Sequence, residues 1–361
     1  MKMFLSWRVT FQILVLCSIS EGLIQNDWDT LAYETTIRYF NPSKFTGGEE
    51  DIWTELGEDI SCYVHEDLSV DITLPEDFSS DKGIKVYTHG FSADVSRAVV
   101  YVKAWMEAHD VNVILVEWKN LAFAGQITDW DSYSYDSAAR NSIDIGEYLG
   151  HCIHSLTKTK GIDPSTVHLT GHSLGAHLMG KAARQYRDLQ GERLGRVSGL
   201  DPAGPRFIDG PIMSAIPELH DNRLNHESAS FVDIIHTDGS FTPAAVWVEP
   251  RLGDLNQLGH MDFYPVGGEE QPGCTLGGSD ALPFSVCSHN RAMYYFFHSI
   301  LEKNLFPSQV CINVTSCNQG EIVSDDIIAY MGDLSQQYYS NERQLFFVNV
   351  KDEHWDFQTH Y

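Results

Sequence analysis

The segment Gly171-His172-Ser173-Leu174-Gly175 has the residue types and spacing for nucleophilic chemistry. A G-x-S-x-G pattern between a strand and a helix exposes the serine on a sharp, strained turn. Side chains at either flanking position would clash in such a turn, which accounts for glycine at 171 and 175. The apolar stretch Val167-His168-Leu169-Thr170 precedes it, and a helical pattern opens at Leu174. A helix N-terminus there would stabilise developing negative charge. The plain alternative is a structural serine in a glycine-rich turn.

A serine at neutral pH needs a base, and the base needs an orienting carboxylate. In strand-turn-helix sites of this type the chain order is Ser, then Asp or Glu, then His. Asp201 follows the apolar run at 197–200 and precedes Pro202, a position at a strand's carboxyl end. Asp233 and Asp238 are further candidates for the acid. The order leaves His220, His226, His236, His260, His289 and His298 for the base. His289 stands two residues after Cys287 and just before a helical pattern opening at Arg291, a loop position that a disulfide would hold rigid. Acyl transfer also needs oxyanion donors. The expected pair is the backbone N–H of Leu174 and that of Phe91, in the His89-Gly90-Phe91 turn after an early strand.

The elements that must hold these groups alternate along the chain. Strand patterns occupy 71–74, 84–88, 111–118, 167–170, 197–200, 231–236 and 345–350. Helical patterns occupy 93–108, the region burying Ile145, Leu149, Cys152, Ile153 and Leu156, then 174–187 and 291–303. Such alternation implies an α/β fold with a mostly parallel sheet and helices on both faces. Ligands in such sheets bind beyond the carboxyl ends of the strands, where Phe91, Ser173 and Asp201 all fall. Residues 23–60 are polar and acidic and read as an irregular N-terminal arm.

Composition narrows the partners. The 24 basic and 50 acidic side chains give a net charge of −26, which excludes nucleic acid as a partner and disfavours docking on anionic lipid by charge. Lipid contact would fall to apolar loops. Lys2, Arg8 and the apolar run at 11–17 read as a secretory signal over residues 1–22; the run is too short to span a bilayer, and so is every later one. Loss of this segment removes Cys17 and leaves six cysteines, an even count that suits a secreted disulfide framework. Spacing pairs Cys274 with Cys287 and Cys311 with Cys317 as local closures, leaving Cys62 with Cys152. Asn313-Val314-Thr315 is a glycosylation sequon, so Asn313 is expected on the surface.

Several stretches together resemble the animal neutral lipases, the family of pancreatic lipase, lipoprotein lipase and the secreted phospholipases A1. They are Thr88-His89-Gly90-Phe91, Val116-Glu117-Trp118, the run from Val167 through Gly175-Ala176-His177, Gly199-Leu200-Asp201-Pro202-Ala203-Gly204-Pro205, Ile235-His236-Thr237-Asp238-Gly239 and Cys287-Ser288-His289-Asn290-Arg291. The likeness runs from about residue 60 to 305 and implies an α/β-hydrolase fold. It also implies Ser173, Asp201 and His289 as a triad, with Phe91 and Leu174 as oxyanion donors.

Departures from the family pattern refine the expectation. The loop closed by Cys274 and Cys287 encloses 12 residues, including Phe284, and its shortness resembles the phospholipases A1. The loop between Gly239 and Gly259 has 19, including Phe241 and Trp247, and its length resembles the true lipases. The segment 218–231 aligns with a calcium site of the pancreatic relatives, but Asn225 and Ser228 stand where those relatives are acidic. Loss of that ligand charge argues against a required metal, although Glu218, Asp221 and Glu227 lie close by. Only 72 residues follow His289, so a single domain over 61–361 is expected, without a C-terminal β-sandwich and without colipase-type help.

The expected function is a secreted serine carboxylic-ester hydrolase acting on glycerolipids at a lipid–water interface, of the triacylglycerol lipase type and with no required cofactor. Phospholipase A1 is the alternative. A non-catalytic lipid-binding or yolk-like protein is the alternative from another class.

Overall fold

The computed structural model describes residues 27–44, 56–122, 132–209, 214–240, 251–274 and 286–351. The signal segment 1–22 and the loop residues Phe241, Trp247 and Phe284 lie outside the described residues.

Chain order gives strands β1 (Thr36–Phe40), β2 (Gly57–Asp59), β3 (Ser61–Val64), β4 (Val70–Thr73), β5 (Ile84–Thr88), β6 (Asn112–Glu117), β7 (Val167–His172) and β8 (Arg196–Leu200). They continue with β9 (Phe231–Ile235), β10 (Gly239–Ser240), β11 (Gly253–Asp254), β12 (Met261–Pro265), β13 (Pro307–Cys311), β14 (Ala329–Tyr330) and β15 (Gln344–Val348). The helices are α1 (Trp28–Glu34), α2 (Val99–Ala108), α3 (Ser132–Lys160), α4 (Leu174–Gln190), α5 (Pro217–Asn222), α6 (Val286–Leu301) and α7 (Val314–Asn318).

Among the described residues one sheet runs β14-β13-β15-β12-β9-β8-β7-β5-β6-β1-β2. Its middle, from β15 to β6, is parallel throughout. Antiparallel strands close both edges. Every residue of β7, β8 and β9 is buried, as a parallel sheet covered on both faces requires. Alternate side chains serve two cores. In β6, Ile114 and Val116 join a core that includes Leu149 of α3 and Met179 of α4. Val113 and Leu115 turn to the other face, where Trp105 of α2 and Phe296 of α6 lie. The expected α/β-hydrolase fold, a mostly parallel sheet between helices, is what the chain forms.

Three expectations need correction. Residues 23–60 are not an irregular arm, because α1 and β1 lie within them and β1 pairs with β6 in the main sheet. The acidic average of that stretch masks buried Ile37, Tyr39 and Phe40. The pattern at 93–108 divides, because Asp94 accepts the Ser96 N–H (2.9 Å) and caps a 3-10 turn at Val95–Arg97 before α2 begins. The helix expected from Arg291 already includes Val286, so His289 lies inside α6 and not in a loop before it.

The three cysteine pairs form as spacing suggested: Cys62 with Cys152, Cys274 with Cys287 and Cys311 with Cys317. The first ties β3 to α3 across 90 positions of sequence. Asn313 is exposed and caps α7, its Oδ1 accepting the Ser316 N–H at 2.8 Å.

Candidate active site

The site lies at the carboxyl ends of β5, β7 and β8. Ser173 sits between β7 and α4 with φ 57°, a conformation an L residue adopts only when its surroundings enforce it. A Cβ on Gly171 would come within 2.1 Å of the Gly175 carbonyl oxygen, and one on Gly175 within 2.5 Å of the His89 carbonyl oxygen. Glycine at both positions is therefore a steric necessity. The Ser173 N–H donates to the Leu200 carbonyl (3.0 Å), binding the turn to the neighbouring strand end.

That strand end delivers Asp201, which is fully buried and also has a positive φ, 44°. Its Oδ2 lies 2.6 Å from His289 Nδ1. Its Oδ1 accepts two backbone N–H groups, from Thr237 (2.7 Å) and Asp238 (3.1 Å). Both carboxylate oxygens are thus engaged, and the ring is held in one orientation. Ser173, His289, His172 and Phe91 line one cavity of about 370 Å³, with Tyr135 and Met293 also in its wall. Leu174 is the first residue of α4.

Asp233 and Asp238 part company here. Asp233 lies on β9 in a forked ion pair with Arg196 (3.0 and 2.8 Å). Asp238 lies beside the Asp201–His289 pair, with ligand-type atoms of the three residues within 4.8 Å of one another. Its carboxylate accepts from Arg251 (3.2 Å) and from the Leu252 N–H (3.0 Å). Burial, reinforced by the charge of Asp201, pushes the Asp238 carboxyl up to about 7. Asp201 takes the direct bond to His289, and Asp238 flanks it.

Several supporting residues were not legible as such in the sequence. His89 accepts the Trp118 N–H at Nε2 (3.2 Å), which places its proton on Nδ1, 3.0 Å from the Gly90 carbonyl. Burial lowers its pKa to about 4, so a neutral ring braces the turn before Phe91. His177 accepts the Leu224 N–H at Nδ1 (3.1 Å) and donates from Nε2 to the Ala203 carbonyl (2.8 Å). It ties α4 to the turn that follows Asp201. Gln271 donates to the carbonyls of Thr237 (3.1 Å) and Pro265 (2.9 Å), and its own N–H donates to Ser288 Oγ (3.1 Å). It thereby joins the turn that feeds Asp201 to the start of α6. His236 sets the base of the same turn, with Nε2 3.0 Å from Asp262 and Nδ1 2.6 Å from the Asp254 carbonyl. Burial opposes its charge, but Asp262 outweighs burial and raises its pKa. Residue type alone did not announce these roles, because most of the partners come from distant parts of the chain.

In the segment 218–231 three polar side chains already have protein partners. Asn225 Oδ1 accepts the Glu227 N–H (2.9 Å), and Ser228 Oγ accepts from Arg184 (2.7 Å). Glu218 pairs with Arg140 at 3.0 Å. No helix of the described residues is long and apolar enough to cross a membrane.

Known proteins resemble the chain over most of its length. Residues 56–355 match the lipase family. Pancreatic triacylglycerol lipase of Myocastor coypus is 31% identical over 290 residues, covering 73% of this chain and 58% of that protein. Human pancreatic lipase-related protein 2 is 34% identical over 293 residues, covering 76% and 57%. Human inactive pancreatic lipase-related protein 1 is 30% identical over 291 residues, covering 76% and 57%. The chain thus spans less than three fifths of the length of these relatives. On the extent of this match, the chain belongs to the lipase family.

Proposed function

We propose that the chain is a secreted serine carboxylic-ester hydrolase that cleaves fatty-acyl esters of glycerolipids, of the triacylglycerol lipase type. One relative is named as inactive, so the reading rests on the site rather than on membership. The observation that carries it is the 2.6 Å bond between His289 and a doubly anchored Asp201, facing the cavity that Ser173 lines.

In this reading Ser173 Oγ attacks the ester carbonyl while His289 takes its proton. His289 returns that proton to the leaving alcohol, and water then deacylates the serine by the same route. Asp201 orients the ring and stabilises the imidazolium. The N–H groups of Phe91 and Leu174 receive the oxyanion, each contributing about 2–4 kcal/mol to barrier lowering. No step needs a cofactor.

Residues 61–361 then form the catalytic domain, residues 1–22 are a signal removed on secretion, and Asn313 carries a glycan. Phe241, Trp247 and Phe284 meet the lipid surface, a role suited to apolar side chains on a chain of net charge −26. Nucleic acid is not a partner in this reading, given the net charge of −26.

Phospholipase A1 activity is the second reading, favoured by the short loop that Cys274 and Cys287 close. Fatty-acid release from trioctanoin and from the sn-1 position of phosphatidylcholine separates the two. Faster release from trioctanoin is expected. Release from phosphatidylcholine alone would transfer the assignment to phospholipase A1, and release from neither would favour a lipid-binding protein.

A further inference from the structure

The helix that begins at the nucleophile elbow also carries a cation into the loop between α5 and β9. Arg184, three turns into α4, is half-buried under this loop. Its Nη2 donates to the Asn222 carbonyl (2.5 Å), and its Nη1 donates to the Arg223 carbonyl (3.2 Å) and to Ser228 Oγ (2.7 Å). Two backbone carbonyls and a hydroxyl thus converge on one positive group. Oxygen donors converging in this way are what a hard cation requires, but here a guanidinium occupies their focus. Burial lowers its pKa to about 10, which leaves it charged at neutral pH.

The surroundings agree with an internal cation. Of the acidic groups nearby, Glu218 pairs with Arg140 and Asp221 lies toward His220, while Asp188 and Glu227 favour the charge of Arg184. Among the described residues, the cluster of His, Cys, Asp and Glu able to hold a metal is at Asp201, Asp238 and His289, not in this loop. Leu224 stands inside the same loop, fully buried, with its N–H on His177. Arg223 reaches back within 3.5 Å of buried Asp254, whose carbonyl meets His236. Fixing this loop therefore fixes the entry to β9 and the turn that supplies two N–H groups to Asp201.

We propose that Arg184 is a built-in cation that pins the 222–228 loop to the nucleophile helix in place of a bound divalent metal. The fold of this chain is then independent of calcium. A guanidinium contributes one charge and a planar fork of donors, so it satisfies carbonyls and a hydroxyl but would be indifferent to chelators.

The test is thermal unfolding of the purified, disulfide-bonded chain in millimolar EDTA and in millimolar calcium chloride, with calorimetric titration of calcium into the same protein. Equal melting temperatures and no binding heat are expected. Arg184→Met should lower the melting temperature by several degrees in both buffers, and Arg184→Lys by less. Adding Asn225→Asp and Ser228→Asp to Arg184→Met should create a melting temperature that rises with calcium. A wild-type chain that melts higher in calcium, or that binds it by calorimetry, would overturn the proposal. So would an Arg184→Met variant as stable as wild type. If the triple variant does not fold, the wild-type calorimetry and the Arg184→Lys comparison still decide. None of these readouts depends on ester hydrolysis, so the proposal and the assigned activity fail separately.

Discussion

Asp201 and His289 are 88 residues apart in sequence and 2.6 Å apart between Oδ2 and Nδ1. The other carboxylate oxygen is held by the N–H groups of Thr237 and Asp238. The pair is therefore locked in one arrangement, with the second imidazole nitrogen left for proton transfer. This arrangement makes Asp201 the acid in the account, even though Asp238 lies close by.

Asp201→Asn should reduce kcat/KM for ester hydrolysis by about 10⁴-fold, the scale for an orienting carboxylate replaced by its amide. If the amide oxygen faces Thr237 and Asp238, its NH2 faces His289 and forces the wrong tautomer. The reverse orientation sets NH2 against two N–H donors. Asp238→Asn should cost less than about 10-fold, because Asp201 rather than Asp238 bonds the ring. Steady-state rates of the two variants on one soluble ester check the contrast.

Asp144 of α3 gives a pH prediction away from the site. Burial, then the charges of Glu218 and Glu147, raise its carboxyl from 3.8 to about 7. Between these values the folded chain holds a proton that the unfolded chain has released. Its contribution to stability is therefore full at low pH and is lost as pH rises through about 7. The advantage of Asp144→Asn over wild type should be small at pH 5 and grow to several degrees in melting temperature at pH 8. Melting curves at the two pH values check it, and an equal effect at both would contradict the assigned burial.

The Cys62–Cys152 bond ties β3 to α3 across a sequence separation of 90. Loss of so long a closure costs about 2–5 kcal/mol in small disulfide-bonded domains. The Cys62→Ser, Cys152→Ser double variant should unfold at clearly lower urea concentration than wild type. Removal of Cys311 and Cys317, which are 6 apart, should shift the midpoint less.

The sequence revealed most where local geometry dictates residue type. The elbow was legible because only glycine fits at 171 and 175, and Asp201 because it ends a strand before a proline. Chain order left six histidines, and His289 was singled out by its place after Cys287 and by the family resemblance; its place inside α6 was not legible, since the helix includes part of the cysteine loop. β1 was hidden by acidic neighbours, and β12 is a short, fully buried strand without alternation. His177 and Arg184 act on backbone groups 26 to 47 positions away, and Gln271 reaches the Thr237 carbonyl 34 positions away, so no local pattern announces these contacts.

The central claim is that Ser173 is a nucleophile activated by His289. Incubation of the folded chain with a long-chain alkyl p-nitrophenyl phosphonate, followed by peptide mass spectrometry, tests it most directly. The account predicts one phosphonyl group per chain, located on Ser173, and no labelling of Ser173→Ala or His289→Ala at comparable times. An unmodified Ser173 in wild-type protein whose folding is confirmed by a cooperative melt would contradict it.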